Sequence, residues 1–111
     1  MQVLITGAGG FVGQYLIQHI QSLDTESSIH GSLFSLNENT LSNVTYHQVD
    51  LRDYEAVLAC IDAVKPDLIY HLAGQSSPGK ALHAVWQTLE TNIHIQLNLF
   101  QACIALNLKP R

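Results

Sequence analysis

The stretch Thr6-Gly7-Ala8-Gly9-Gly10-Phe11-Val12-Gly13 decides the fold, because its glycines recur in the pattern T-G-x-x-G-x-x-G. The preceding residues, Gln2 to Thr6, are mostly apolar and β-branched, which predicts a strand buried on both faces, as in a parallel sheet. After the glycines, apolar residues recur at helical spacing from Val12 to about Ser22. A glycine turn between a strand and a helix is typical of a dinucleotide site.

Each of three glycines has a distinct role in such a site. Gly7 permits a tight turn, Gly10 lets the backbone approach a pyrophosphate, and Gly13 lets the helix pack closely on the strand. The helix N-terminus presents free N–H groups to the phosphates, so no cationic side chain is needed. A purely structural turn is the alternative. A nucleoside-triphosphatase loop is excluded because Gln14 and Tyr15 follow Gly13, where that loop has Lys and Ser or Thr.

The rest of the chain alternates strand and helix patterns. Strands are predicted at Ile29 to Phe34, at Val44 to Gln48 as a sheet edge, and at Asp67 to Ala73. Asp53 is predicted to cap a helix whose apolar stripe ends at Lys65-Pro66. A loop from Gly74 to Gly79 then leads to a last helix. This alternation predicts βαβ units with right-handed crossovers.

The last helix has an apolar arc of about 200°, roughly twice the width that one core contact needs. The arc contains Leu89, Ile93, Ile95, Leu97, Leu99, Phe100, Cys103, Ile104 and Leu106. We therefore expect burial on two sides, with a narrow solvent-facing stripe of Glu90, His94, Asn98 and Gln101. The amides of Asn92 and Gln96 fall inside the arc and need partners. Two interpretations stay open: both amides form hydrogen bonds with loop backbone, or Asn92 faces a functional site.

Composition limits the function classes. The 111 residues, 47% hydrophobic with a net charge of −4, predict one domain, and five Lys and Arg argue against nucleic acid. No apolar run approaches the ~18 residues of a membrane span, and the start lacks signal-peptide features, so we expect a cytoplasmic protein that contacts no membrane. Six His and two Cys show no metal-ligand spacing, so no metal site is assigned. Cys60 and Cys103 are expected to be reduced, buried thiols.

Three further segments carry a family resemblance: Asp50 to Asp53, Lys65 to Ser77, and Trp86 to Asn92. With the glycine turn, they resemble the extended short-chain dehydrogenase/reductases, and within them the NAD-dependent nucleotide-sugar epimerases, dehydratases and reductases. The run His-Leu-Ala-Gly-Gln-Ser-Ser and the later Thr-Leu-Glu-Thr-Asn are similar to GDP-mannose 4,6-dehydratases and GDP-4-keto-6-deoxy-mannose reductases. The resemblance spans the whole chain. It implies a Rossmann-like α/β fold with four parallel strands in the order 3-2-1-4 and helices on both faces.

The resemblance also implies roles for matching residues. Pyrophosphate contacts would come from Gly7, Gly10, Phe11, Val12 and Gly13. Asp50 would accept a hydrogen bond from the adenine amino group, with the Leu51 backbone beside the ring. The nicotinamide side would be lined by Leu72, Ala73, Gly74 and Gln75. Asn92 would support the active site, and Ser76 and Ser77 are candidates for contacting substrate.

Two departures from the family pattern matter. The end of the second strand, Gly31 to Asn37, has neither the acid that binds a ribose 2′-hydroxyl nor the Arg that meets a 2′-phosphate. NAD and NADP both stay open, and the lack of a basic residue before Arg52 favours NAD. The family's catalytic Tyr-x-x-x-Lys is also missing, so no catalytic residue is assigned.

We therefore interpret residues 1–111 as the N-terminal part of a dinucleotide-binding Rossmann domain, truncated, without the C-terminal substrate domain. The parent would transfer a hydride between a nucleotide-sugar carbon and nicotinamide, and this chain alone is expected to be inactive. The alternatives are a short, non-catalytic NAD(P)-binding or sensing module and a remnant retained as an assembly subunit. We expect a homo-oligomer, with another copy or a further part of the chain covering the strand edge at Leu68 to Leu72 and an outer helix face carrying Ile95, Leu99 and Leu106.

Overall fold

A computed structural model describes residues 1–74 and 82–111 of the chain. Within these ranges, strands and helices alternate as the sequence predicts. The elements are β1 (Gln2–Thr6), α1 (Phe11–Leu23), β2 (Ser28–Leu33), β3 (Thr45–Gln48), α2 (Tyr54–Val64), β4 (Leu68–His71) and α3 (Val85–Ala105). The predicted first and third strands end where β1 and β3 end, whereas the predicted second and fourth strands run one and two residues past the observed ends of β2 and β4.

The strands form one parallel sheet in the order β3-β2-β1-β4, which confirms the predicted order and the edge position of β3. The other edge, at β4, has a backbone partner. Ile69 N–H donates to the carbonyl of Arg111 at 2.8 Å, and Arg111 N–H donates to the carbonyl of Asp67 at 3.0 Å. These two bonds have the pattern of a parallel bridge, so Arg111 lies along the outer edge of β4.

Helices cover both faces of the sheet, as expected. Successive side chains of β1 alternate between the faces, so Leu4 packs with α2 and α3 while Val3 and Ile5 pack with Ile17 of α1. The predicted cap of α2 is also confirmed, since the Asp53 carboxylate accepts the N–H groups of the first turn. The two core clusters fix the sheet between its helical layers.

The orientation of α3 corrects three predictions. Its buried face consists of Ile95, Asn98, Leu99 and Ala102, and its outer face leaves Leu89, Ile93, Leu97, Phe100 and Ile104 between 49% and 76% exposed. Within the single chain, α3 is therefore buried on one side only, in place of the expected two. Ile95 and Leu99 belong to the buried core and Leu106 packs against it, so the predicted outer face is also wrong. Asn98, predicted to face water, is 3% exposed because it lies between Ile95 and Ala102 on the buried face.

Two histidines pair across β2 and β3. His30 Nδ1 lies 3.0 Å from His47 Nε2, and His30 Nε2 lies 2.9 Å from the side-chain oxygen of Gln2. That oxygen is an acceptor, so His30 donates from Nε2 and, when neutral, accepts the His47 hydrogen at Nδ1. Burial lowers the pKa of both histidines, and the charge of His47 further lowers that of His30.

This pair predicts an acid-sensitive fold. Both histidines bind protons more weakly in the folded chain, so their stabilising contribution is fully present above the unfolded pKa of about 6.5 and is lost as pH falls through the lowered folded values. His47→Gln keeps an N–H donor for His30 but removes one titrating ring. We expect the fall in urea midpoint between pH 7.5 and pH 5 to be smaller for His47→Gln than for the unsubstituted chain. His94→Gln, on the exposed side of α3, is the control, and equal falls in all three proteins would contradict the prediction.

Candidate functional site

A groove of about 420 Å³ lies at the carboxyl ends of the parallel strands. Its position is the one where open α/β sheets bind ligands, because the chain winds from β1 to β2 and β3 on one side and returns to β4 on the other. The lining residues are Gly7, Gly10, Ser32, Phe34, Glu38, Val49, Asp50, Leu51, Arg52, Leu72, Ala73, Gly74, Thr91 and Ile95. Every strand therefore contributes the residues that follow or end it.

The glycine turn leaves no space for side chains at two of its positions. Gly7 has φ +68°, and a Cβ there would lie 2.9 Å from the Ala73 nitrogen. A Cβ on Gly13 would lie 2.5 Å from the Gly7 carbonyl oxygen, so α1 passes directly over the turn. Gly10 is less crowded, with the same oxygen at 3.3 Å, and it lines the groove. Gly7 and Gly13 thus hold the backbone together, and Gly10 presents it to the groove.

The start of α1 contributes backbone donors to the same place. Gly10 is the N-cap, no described side chain caps the helix, and its first turn contains no acidic residue. The Gln14 side chain closes the turn by donating to the Gly9 carbonyl at 3.0 Å. The free N–H groups of the first turn of α1 therefore follow directly after Gly10, which lines the groove, and the positive end of the helix dipole lies at the same place.

Thr6 ties the end of β1 to the loop after β4. Its buried hydroxyl oxygen accepts the N–H groups of Leu72 and Ala73 at 3.1 and 3.2 Å and lies 2.7 Å from His71 Nδ1. Because both lone pairs are used, the hydroxyl hydrogen donates to Nδ1, which leaves the neutral His71 ring protonated at Nε2. Burial lowers the pKa of His71 and favours that neutral form.

Asp50 and Arg52 form an exposed ion pair on the wall of the groove. Oδ1 of Asp50 accepts the backbone N–H and Nε of Arg52, both at 3.0 Å, and Oδ2 accepts Nη2 at 2.9 Å. The hydrogen bonds from Arg52 hold the pKa of the Asp50 carboxyl below its usual value. The guanidinium carbon also lies 5.7 Å from the centre of the Phe34 ring.

Glu38 is an acid that the sequence interpretation missed. A turn in which Glu38 N–H donates to the Ser35 carbonyl brings the side chain back to the groove, where Oε2 accepts the Ser35 N–H at 2.8 Å. The side chain lies over the glycine turn, since a Cβ on Gly9 would be 2.9 Å from Glu38 Oε1. The segment that was considered for a ribose-binding acid, Gly31 to Asn37, ends one residue before Glu38. The turn residues around Ser35 were the available signal.

The structure brings most of the predicted site residues together. Seven line the groove: Gly7, Gly10, Asp50, Leu51, Leu72, Ala73 and Gly74. Gly13 is buried beneath the turn, while Phe11 and Val12 are exposed at the start of α1 and do not line the groove. The Asn92 carboxamide lies beside Gly74, where a Cβ would be 3.2 Å from Oδ1. The predicted residues Gln75, Ser76 and Ser77 lie outside the described residues.

The sequence interpretation did not assign several lining residues to a site. These are Ser32, Phe34, Glu38, Val49, Arg52, Thr91 and Ile95. Ser32, Phe34 and Val49 lie at or next to a strand end, so their position at the sheet edge follows once the strand order is known. Thr91 and Ile95 reach the groove from α3, and only the packing of that helix shows it.

Other site classes receive little support from the described ranges. They contain no cluster of three or more His, Cys, Asp or Glu side chains arranged for a metal ion, and no helix there is long and apolar enough to cross a membrane. Cys60 and Cys103 are free thiols, as predicted, the first buried and the second half-buried. Burial raises the pKa of Cys60 to about 11, so this thiol is a poor nucleophile.

Comparison with known proteins shows that the chain is similar to nucleotide-sugar dehydratases and epimerases, both in sequence and in structure. The chain is 28% identical over 101 residues to dTDP-glucose 4,6-dehydratase of Salmonella typhimurium, covering 84% of this chain and 28% of that protein. It is 30% identical over 125 residues to UDP-glucose 4-epimerase of Caenorhabditis elegans, covering 98% and 36%. A crystal structure of Thermus thermophilus UDP-glucose 4-epimerase in complex with NAD superposes with a TM-score of 0.85 and 26% identity over 98% of this chain and 35% of that one.

The chain spans about a third of the length of these relatives. The model of the NAD dependent epimerase/dehydratase family matches residues 3–111, which is nearly the entire sequence. The family match, the Rossmann-like strand order and the glycine turn agree, and we conclude that this chain belongs to the NAD dependent epimerase/dehydratase family.

Proposed function

We propose that the groove binds NAD and that the chain is the dinucleotide-binding portion of a nucleotide-sugar dehydratase, reductase or epimerase. One observation carries the proposal: the turn excludes side chains at Gly7 and Gly13 and places Gly10, the N-cap of α1, in the lining of a groove at the strand ends. Such a cradle fits a pyrophosphate. When bound, NAD supplies a hydride acceptor. The free thiols of Cys60 and Cys103 suit the reducing cytoplasm, where we place the protein.

The other predicted residues take their roles around this cradle. Asp50 accepts the adenine amino group, with Leu51 beside the ring, and Leu72, Ala73 and Gly74 line the nicotinamide side; Gln75 is the fourth residue to which we assign this role. Asn92 supports the loop after β4 next to Gly74, and Ser76 and Ser77 contact substrate. The groove residues bind and orient the cofactor, and the parent protein binds the nucleotide-sugar. Because Tyr-x-x-x-Lys is missing from the sequence, we propose that this chain binds without turnover.

Calorimetric titration of the 111-residue chain with NADH tests this function. Gly10→Ala places a methyl group where the backbone approaches the pyrophosphate, so we expect it to weaken binding by about tenfold or more. Its unfolding free energy should fall by less than about 1 kcal/mol. Gly13→Ala is the contrasting variant, because its Cβ meets the Gly7 carbonyl, and it should lose about 1–3 kcal/mol. Absence of NADH binding, or equal binding by Gly10→Ala, would contradict the proposal.

The strength of that binding separates the two readings of the chain. Weak binding without turnover supports a portion of a larger enzyme, in which the missing part completes the site. Tight binding without turnover supports the alternative, a short dinucleotide-sensing module. Measuring the intact mass of the purified protein against the length of its reading frame identifies a longer parent directly.

We further propose that NAD is preferred over NADP, on the evidence of Glu38. Its carboxylate lies over Gly9, next to the turn that would hold the pyrophosphate, and one oxygen accepts the Ser35 N–H. A carboxylate there accepts ribose hydroxyls and repels a 2′-phosphate. Arg52 is the feature that favours NADP, but both oxygens of Asp50 hold its guanidinium, so its charge is largely neutralised.

Glu38→Gln tests the assignment. Removing the charge eliminates the repulsion while keeping the side-chain shape, so we expect the ratio of NADPH to NADH dissociation constants to fall by about tenfold. Glu26→Gln, an exposed acid in the connection between α1 and β2, is the matched control and should leave the ratio unchanged. Tighter binding of NADPH than of NADH by the unsubstituted chain would show that the NAD preference is wrong.

We also propose that the chain forms a homo-oligomer through the outer face of α3. Leu89, Ile93, Leu97, Phe100 and Ile104 are all exposed and lie along one side of a 21-residue helix. An uncharged apolar stripe of this kind is self-complementary across a two-fold axis, so a second copy is the occupant that fits. Arg111 occupies the outer edge of β4 with two backbone hydrogen bonds, so we assign the association to the helix face and not to the strand edge.

Sedimentation equilibrium tests this association. Phe100→Glu places a charge at the centre of the stripe and should convert an oligomer to a monomer. Leu23→Glu is the control, because Leu23 is 73% exposed but lies on α1, away from the stripe. A monomeric unsubstituted chain over the full concentration range would refute the proposed interface.

A further inference from the structure

The peptide group between Leu51 and Arg52 is hydrogen-bonded at both ends. Its carbonyl accepts Nδ2 of Asn98 at 2.8 Å, and its N–H donates to Oδ1 of Asp50 at 3.0 Å. Because a trans peptide group is planar, its carbonyl and N–H point in opposite directions in one plane. Fixing the carbonyl therefore fixes the direction of the N–H that holds Asp50.

Asn98 pays a burial cost that only a hydrogen bond offsets. It is 3% exposed on the face of α3 that packs into the core, between Ile95 and Ala102. A carboxamide in such surroundings is unfavourable unless its polar atoms have partners. The Leu51 carbonyl needs a donor as well, because it lies between β3 and α2 and belongs to neither element. The two groups satisfy one another across 47 residues of sequence.

The other end of this connection is the exposed carboxylate of Asp50. Three donors hold it, all from Arg52: the backbone N–H and Nε on Oδ1, and Nη2 on Oδ2. A carboxylate has about four lone-pair positions, so one position on Oδ2 is open to a further donor. The orientation of the carboxylate depends on the Arg52 backbone N–H, because this is the one donor of the three that belongs to the main chain.

We propose that Asn98 is a positioning residue for adenine recognition, acting through the Leu51–Arg52 peptide group on the Asp50 carboxylate. This inference rests on the proposed function, in which Asp50 accepts the adenine amino group of NAD. With the Asn98 donor present, the acceptor on Asp50 is oriented before the cofactor arrives. Without it, the peptide group stays within the turn closed by the Asp53 N–H and the Asp50 carbonyl, but it loses the hydrogen bond that fixes the direction of its carbonyl and therefore of its N–H. The chain then discriminates less well between adenine and a purine base without the amino group.

The test compares NAD with nicotinamide hypoxanthine dinucleotide, which has a carbonyl oxygen in place of the adenine amino group. Calorimetric titration of the unsubstituted chain should give about tenfold tighter binding of NAD, the value of one hydrogen bond to a charged acceptor. In Asn98→Leu the ratio should fall to about one, because the acceptor is no longer oriented. Leu99→Val is the control. This neighbour is equally buried and, like Asn98, does not line the groove, but its apolar side chain forms no hydrogen bond to the Leu51–Arg52 peptide group. Its ratio should therefore stay near that of the unsubstituted chain.

Asn98→Ala removes the amide donor without adding volume or charge, and it decides the test if Asn98→Leu does not fold. Tenfold discrimination in either folded variant overturns the inference and leaves Asn98 as a core residue only. Equal binding of the two dinucleotides by the unsubstituted chain overturns it as well, since Asp50 then does not read the amino group, while the proposed function stands. Binding of neither dinucleotide overturns the proposed function and this inference with it.

Discussion

The close approach of Gly13 to the Gly7 carbonyl is the constraint on which the rest of the structure depends. A hydrogen atom is the largest side chain that the contact allows, since a Cβ would lie 2.5 Å from the oxygen. The contact fixes where α1 starts relative to β1, and the positive φ of Gly7 brings the same turn against Ala73 after β4. Three elements thus meet at a turn built from backbone. Ordering glycine costs conformational entropy on folding, and the absence of side chains at these positions leaves backbone that a ligand could approach closely.

Polar side chains hold the loops that surround this turn. Thr6 accepts two N–H groups of the loop after β4, Asn98 donates to the segment between β3 and α2, and Glu38 accepts the N–H of Ser35 after β2. Loop backbone has no ladder or helix partners of its own, so such side chains replace them. The groove is consequently shaped by a few hydrogen bonds from side chains to loop backbone, while the apolar clusters on each face of the sheet provide most of the stability.

The elements and their order could be predicted because they depend on local periodicity and on the rule for parallel crossovers. The side chains that shape the groove could not. A helical wheel assigns Asn98 to solvent because it is polar, and its partner at Leu51 is distant in sequence. Glu38 follows the end of β2 by five residues, and only the turn at Ser35 returns it to the groove. Both residues were assigned from their place in the sequence, whereas helix packing positions Asn98 and the turn at Ser35 positions Glu38.

The charge distribution determines how the proposed site would hold a diphosphate. The chain has five Lys and Arg, and none precedes Arg52. Arg52 itself is held by Asp50, so the groove has little net cationic charge from side chains. The favourable field near the turn comes from the uncapped N–H groups of α1, which are fixed in direction by the helix. Dipoles fixed in this way need no reorganisation when a phosphate arrives, and they act only over the first turn. Recognition then depends on how closely the ligand can approach the backbone, which is the property that the glycines of the turn provide.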